Sequence, residues 1–178
     1  MNQLDILKEI KSDPTNWSLW HKYGIFAAEN KDWKTCISAY LAALRLNPQQ
    51  SIQDECMNAY QNYTTTLTTN FSFRFLKLPK KTLIVDMYGL MNMDMTDFEN
   101  QVKSLIAKNN EVIFLHFAFV KNLTGLGPST IKKIIKWSKE KNIFVAAIAV
   151  HDQLRITFNL KKIEVDEYQN LLQAFQNK

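Results

Sequence analysis

The chain predicts two small domains: an all-α region over residues 1–70, then an α/β region over residues 71–178 in which a sheet carries helices. Three observations predict this. Apolar residues recur at helical spacing through the first sixty-five or so residues. An uncharged, β-branched and aromatic stretch, TTTLTTNFSF (64–73), then breaks the pattern. Beyond it, short apolar runs of strand length alternate with amphipathic helical segments, the arrangement that packs helices on a sheet.

The elements follow in order. Leu4, Ile6, Leu7 and Ile10 mark a first helix over residues 3–12. Asp13-Pro14 fits an N-cap followed by proline at the first helical position, so a second helix is expected from Pro14 to Glu29. Asn30 and Asp32 supply a turn. A third helix runs to Leu46 and is stopped at Asn47-Pro48, because proline cannot continue a helix. A fourth is expected from about Ser51 to Thr65.

In the second half, residues 73–78 and 82–88 read as strands broken at Pro79-Lys80-Lys81. Thr96 and Glu99 have capping-box spacing, which starts a helix at Asp97 that runs to about Lys108. Residues 112–120 and 143–150 are apolar strands. Between them a helix over 129–141 turns Ile131, Ile134, Ile135 and Ser138 to one face and Lys132, Lys133, Lys136 and Lys139 to the other. Residues 152–160 form a short helix, and residues 166–176 a final one.

Composition limits the function classes. The 178 residues are 46% hydrophobic and 22% charged, the balance of an ordinary globular protein. Four glycines and four prolines exclude collagen-like and Pro-rich chains. Two cysteines, Cys36 and Cys56, make no disulfide framework, which points to a reducing compartment. No apolar run approaches the roughly 18 residues of a membrane span, and the N-terminus has no basic segment leading into an apolar one. A cytoplasmic protein without membrane insertion is expected. The net charge of +5 is uneven, −1 over residues 1–70 and +6 over residues 71–178. A basic half suits an acidic partner, a membrane surface or nucleic acid. Nucleic acid is not expected, because no basic stripe interleaves with aromatics.

Residues 17–50 resemble one tetratricopeptide repeat. Trp20, Tyr23, Gly24, Ala27, Cys36, Tyr40, Ala43 and Pro48 fall on its spaced positions, with Ala27 replacing the usual tyrosine. Small residues let two helices approach, Tyr40 fills their interface, and Trp20 and Tyr23 need a partner. A lone unit cannot bury its faces, since about three are normally needed. The flanking helices must cap it, or it packs on another chain as a contact or homo-oligomer surface.

Residues 73–176 resemble the STAS family (sulfate transporter and anti-sigma factor antagonist). Three segments carry the resemblance, in order: KTLIVDMYGLMNMDMTDFENQVKSLI, VIFLHFAFVKNLTGLGPSTIKKII and FVAAIAVHDQLRITFNLKKI. The family implies a mixed sheet with helices. It also implies a loop with an Asp-Ser-Ser/Thr-Gly-Leu-Gly signature, whose hydroxyl at a helix N-terminus accepts phosphate and so switches a protein partner. Phosphate there adds about −1.5 to −2 charge, and helix N–H groups and dipole favour it.

The signature is degraded in this chain. If Gly125-Leu126-Gly127 is the Gly-Leu-Gly, the acceptor position is Leu123, the acidic one Asn122, and Thr124 holds the second hydroxyl position. Aligned without a gap from the preceding strand, the acceptor is Gly125 and the acidic position Thr124. Both registers remain open, and both lack the acceptor hydroxyl. Thr124 is the candidate phosphorylation site, with a turn-forming or capping role as its structural counterpart. The family's partner surface maps to Asn122, Leu123, Thr124, Gly125, Leu126, Gly127 and Ser129, continued by Lys132, Lys133 and Lys136.

No enzyme is expected, and no cofactor or metal. His21, His116 and His151 stand in no local triad or ligand spacing. His116, inside a β-run, reads as a buried hydrogen-bonded residue. Cys36 reads as a packing residue. Asp94 and Asp97 read as a loop acid and a first-turn acid. Gly125-Leu126-Gly127 is too short to be a phosphate loop. The sequence therefore predicts a non-enzymatic regulatory module whose partner is a kinase, an anti-sigma factor or another regulator. The alternative within the same family is a cytoplasmic accessory subunit of a membrane transporter ATPase. A third reading, of a different class, is an enzyme or nucleotide-binding protein in which the loop at Leu123–Gly127 holds a ligand.

Overall fold

In the computed structural model, residues 3–67, 71–91, 95–106 and 110–178 are described. Asp94, Lys108 and the expected boundary at residue 70 lie outside them. Two compact units are present. One comprises Met1–Thr68, Leu78–Lys80 and Leu171–Lys178, and the other Thr69–Lys77 and Lys81–Asn170.

The helical unit contains α1 (Gln3–Ser12), α2 (Trp17–Glu29), α3 (Trp33–Leu46), α4 (Gln50–Thr64) and the C-terminal helix α8 (Leu171–Asn177). α2 starts later than the Asp13-Pro14 signal suggested. Asn16 is the N-cap, its side chain accepting from Ser18 N at 3.2 Å, while Asp13 closes a turn onto Thr15. A local side-chain turn thus takes up Asp13 before the helix begins. α3 starts on Asp32, whose side chain accepts from Thr35 N, after Lys31 turns at φ 57°. α3 is buried from Ala39 through Arg45.

The bulky residues of α2 find their cover in α1. Ile6 and Ile10 pack with Leu19, Trp20, Tyr23 and Phe26. On the opposite side Gly24 lies so close to α3 that an added Cβ would stand 2.5 Å from the Tyr40 ring. α8 closes the unit: the Leu172 amide donates to Gln53 Oε1, and Arg45 Nη2 donates to the Lys178 carbonyl at 2.9 Å while its guanidinium lies over the Phe175 ring. Burial lowers the Arg45 pKa from its ordinary value.

The second unit is built on a five-stranded sheet in the order β1-β2-β3-β4-β5. Its strands are β1 (Ser72–Leu78), β2 (Thr82–Met91), β3 (Val112–Leu123), β4 (Phe144–Ile148) and β5 (Asp166–Tyr168). β2 to β5 are parallel, joined through α5 (Thr96–Ile106), α6 (Gly127–Glu140) and α7 (Asp152–Leu160). β1 enters through the turn at Pro79–Lys81, where Lys80 and Lys81 take positive φ. So short a connection makes β1 antiparallel to β2 and the sheet mixed. One residue set, Leu83, Val85, Met87, Ile113, Leu115, Phe117, Val145 and Ala147, meets the helices. Phe98 and Val102 of α5, Ile131, Ile134 and Ile135 of α6, and Leu154 and Phe158 of α7 complete that core.

The expected final helix over 166–176 is corrected. Asp166–Tyr168 is an edge strand paired with Ala146–Ile148, and the helix begins only at Leu171. Pairing with β4 overrides the weak helical preference of three polar residues.

Candidate functional site

The candidate site expected from sequence falls at the junction between β3 and α6. β3 extends to Leu123, so Asn122 and Leu123 are strand residues and the turn proper is Thr124–Leu126. Three bonds fix this turn. The Thr124 amide donates to the Met91 carbonyl at the end of β2 at 2.9 Å, and the Gly127 amide donates to the Thr124 carbonyl at 3.0 Å. The Leu123 amide donates to Asn122 Oδ1 at 2.8 Å. Gly125 takes φ 54°, a conformation that suits glycine.

Leu123 and Gly127 belong to the interior. Leu123 is fully buried, and a Cβ on Gly127 would stand 2.6 Å from both the Leu123 side chain and the Met91 carbonyl. The glycine opening α6 is thus required by close packing against the end of β2. What reaches the surface is Thr124, Gly125, Leu126 and Ser129, with Asn122 half-buried. Leu126 is the apolar centre of this patch, 55% exposed. The Thr124 hydroxyl is exposed and makes no hydrogen bond among the described residues.

The N-terminus of α6 offers few donors to an anion. Leu126 is its N-cap and supplies no side-chain cap, Pro128 has no N–H, and the Gly127 N–H is taken by Thr124. Ser129 turns its hydroxyl back to donate to the Leu126 carbonyl at 2.8 Å. Lys133 is held by Glu99 at 2.8 Å, and the same carboxylate accepts from Thr130 Oγ1 at 2.6 Å. Lys132 and Lys136 are exposed, Lys136 only loosely paired with Glu140 at 3.9 Å.

His116 is the buried, hydrogen-bonded residue expected from sequence, but its pairing with Asp86 was not foreseen. Asp86 of β2 and His116 of β3 are direct partners in the sheet register and are buried on the face opposite α5 and α6. Asp86 Oδ1 lies 2.9 Å from His116 Nδ1, while Oδ2 accepts from Arg74 Nε at 3.0 Å and from the Tyr88 hydroxyl at 3.1 Å. The available signal was an acid and a histidine at paired positions within two apolar runs. The other histidines are placed separately: His21 Nε2 lies 2.7 Å from Glu55, and His151 Nε2 donates to the Val120 carbonyl. Among the described residues no group of three or more His, Cys, Asp or Glu could hold a metal ion. No helix among them is long and apolar enough to cross a membrane.

No family model matches the chain, and no curated protein is significantly similar to it in sequence. Solved structures do resemble it. An anti-sigma factor antagonist from Mycobacterium paratuberculosis is similar at a TM-score of 0.51 and 12% identity, over 62% of this chain and 97% of that one. The Bacillus cell fate determinant SpoIIAA in its phosphorylated form is similar at 0.50 and 8% identity, over 60% of this chain and all of that one. The α/β part therefore has the fold of the anti-sigma factor antagonists, as the STAS resemblance implied.

Proposed function

We propose that this chain is a non-enzymatic regulatory module that binds a protein partner through the β3–α6 junction. The reading rests on one observation: in a fold shared with anti-sigma factor antagonists, an exposed Leu126 stands at the centre of the turn that precedes α6. The partner surface is Asn122, Thr124, Gly125, Leu126 and Ser129, continued by Lys132, Lys133 and Lys136. Leu123 and Gly127 serve it from within. The partner is a kinase, an anti-sigma factor or another regulator. The helical unit, read as one tetratricopeptide-like repeat capped by its neighbours, is a second contact or self-association surface.

The junction favours constitutive binding over a phosphate switch. One acceptor position is a buried leucine and the other a glycine, and the helix start has spent or lacks most of its donors. These features also support the second reading, an accessory subunit of a transporter ATPase held without phosphorylation.

The test uses the full chain as bait in lysate of the source cells, with Leu126→Asp, Thr124→Ala and Thr124→Glu beside it. A regulator retained by the parent and by Thr124→Ala, and reduced at least tenfold by Leu126→Asp, is the expected result. A transporter ATPase with the same pattern selects the second reading. Equal retention by Leu126→Asp overturns both. Loss on Thr124→Glu alone would restore a switch.

A further inference from the structure

The two edges of the sheet are built differently. Natural edge strands are blunted by short length, charge, proline or a bulge, because their free N–H and C=O groups are a template for another strand. β5 follows this rule: it is three residues long, and its Asp166 and Glu167 are exposed. β1, Ser72–Leu78, is the other edge, and no further strand pairs with its outer side among the described residues. It is seven residues long and holds no proline. Its Arg74 is drawn to Asp86 at 3.0 Å, which leaves Lys77 as the one exposed charge along it.

What runs along this edge is aromatic. Phe71, Phe73 and Phe75 recur at every second residue and so share one face of the sheet. The Phe73 ring lies 4.9 Å from Phe98 of α5, 5.8 Å from Phe71 and 5.4 Å from Phe75, centroid to centroid. Phe98 is buried, but the three edge rings are only half-buried. The row closes the core and keeps apolar surface of its own in solvent.

The spacing selects the occupant. The row reads the same in both directions about Phe73, so it is self-complementary under a two-fold axis at that residue. A second copy of β1 laid antiparallel on the edge sets Phe73 opposite Phe73, and Phe71 opposite the partner's Phe75 on both sides of the axis. Aromatic pairs directly opposite each other stabilise a strand pair, and like charges destabilise it. In this register Arg74 meets the partner's Ser72, so no like charges oppose each other over residues 71–75. An axis at Arg74 would set two arginines against each other, and one at Phe75 would set Phe73 against the partner's Lys77. We propose that the chain forms a homodimer by antiparallel β1–β1 pairing centred on Phe73, which joins the two sheets into one. So short a seam stands at the low end of specific interfaces, and the dimer is weak and concentration-dependent. β2 separates β1 from β3, so the β3–α6 junction stays outside the seam.

The test uses the whole chain. In sedimentation equilibrium its mass should rise from 20.8 kDa towards twice that value as concentration is raised through the micromolar range. Where about nine-tenths of the chain is dimeric, alternate amides of residues 71–75 should exchange about tenfold more slowly than in the monomer. Under mild oxidation Phe73→Cys should crosslink to a covalent dimer, because residues facing each other in an antiparallel pair hold their Cα atoms about 4.5–5.5 Å apart, within disulfide reach. Phe75→Cys should not, since it faces the partner's Phe71. Cys36 and Cys56 are buried and are kept in both variants. Leu126→Asp should leave mass and exchange unchanged, which separates this seam from the partner surface proposed above. Where a cysteine variant fails to fold, the mass and exchange of the parent protein decide. A monomer at every concentration, a dimer whose protection falls in the helical unit alone, or equal crosslinking of the two cysteine variants would each overturn the proposal.

Discussion

Asp86 and His116 face each other across the β2–β3 pairing, carboxylate to imidazole at 2.9 Å, with about 1–2% of either side chain exposed. The other carboxylate oxygen holds Arg74, whose side chain is 15% exposed. An acid this deep costs several kcal/mol of desolvation, which its partners must offset. Removing it leaves an arginine and a histidine facing a hole. Asp86→Ala is therefore expected to cost about 3–5 kcal/mol, a large share of a small domain's stability. Urea unfolding followed by far-ultraviolet circular dichroism would read this. A loss below about 1 kcal/mol, the scale of an exposed ion pair, would show that the cluster carries no such weight.

The two glycines of the junction should respond differently. Gly127 has backbone within 2.6 Å of where its Cβ would stand, the Met91 carbonyl, and a carbonyl locked in the sheet cannot step aside. Gly127→Ala is expected to cost about 1–3 kcal/mol through overpacking and to loosen the tie between β2 and α6. Gly125 is exposed, and its obstacle is conformational, with φ at 54°. Gly125→Ala should cost about 1–2 kcal/mol. Paired thermal melts decide. If Gly127→Ala melts with the parent protein, the close approach of α6 to the end of β2 is not as described.

In the helical unit the same argument concerns Gly24 and Tyr40. The ring of Tyr40 is 5% exposed and fills the space a methyl would need, 2.5 Å away. Gly24→Ala alone should destabilise by about 1–3 kcal/mol. In a Tyr40→Leu background the methyl has room, and its cost should shrink. The difference between the two is a coupling energy of about 0.5–3 kcal/mol, readable by a double-mutant cycle. Additive effects would mean that the two residues do not meet.

The residues that could be read from sequence are those whose local signals agree with their packing. The α6 pattern is one: Ile131, Ile134, Ile135 and Ser138 are buried, and Lys132, Lys133, Lys136 and Lys139 are exposed. Gly24 beside Tyr40 is another, because a small residue opposite a ring is a local exchange of volume. The failures came where distant partners decide. Asp166–Tyr168 becomes a strand because β4 offers it an edge. One failure was local instead: Asp13 is drawn into a turn with Thr15 before a helix can use it. Leu123 looked like part of a surface loop because β3 was expected to end near Val120. Its burial follows from the longer strand, in which Asn122 and Leu123 pair with Leu90 and Met91. Asp86 and His116 are thirty residues apart, and only strand register unites them.

Cys36 gives the unit a dependence on alkaline pH. Its thiol is fully buried, and burial, with lesser contributions from the Asp32 and Glu55 charges, pushes it up from 9.0 to about 12. The thiolate is the reactive form. At pH 8 about one molecule in ten thousand should carry it at this position. Native protein should therefore leave Cys36 unmodified by iodoacetamide at pH 8, and denatured protein should not. The sign of the linkage follows from the raised value. Below pH 9 both states hold the proton and the stability is unaffected. From pH 9 to about 12 the unfolded chain releases it first, so stability falls by at most about 1.4 kcal/mol per pH unit from this group. Tyr40 is raised in the same direction, by burial first, and steepens the loss at higher pH. Cys36→Ala should flatten the stability profile between pH 9 and 10.5. An unchanged slope, or ready alkylation of the native thiol, would show that Cys36 is neither buried nor protonated as the fold requires.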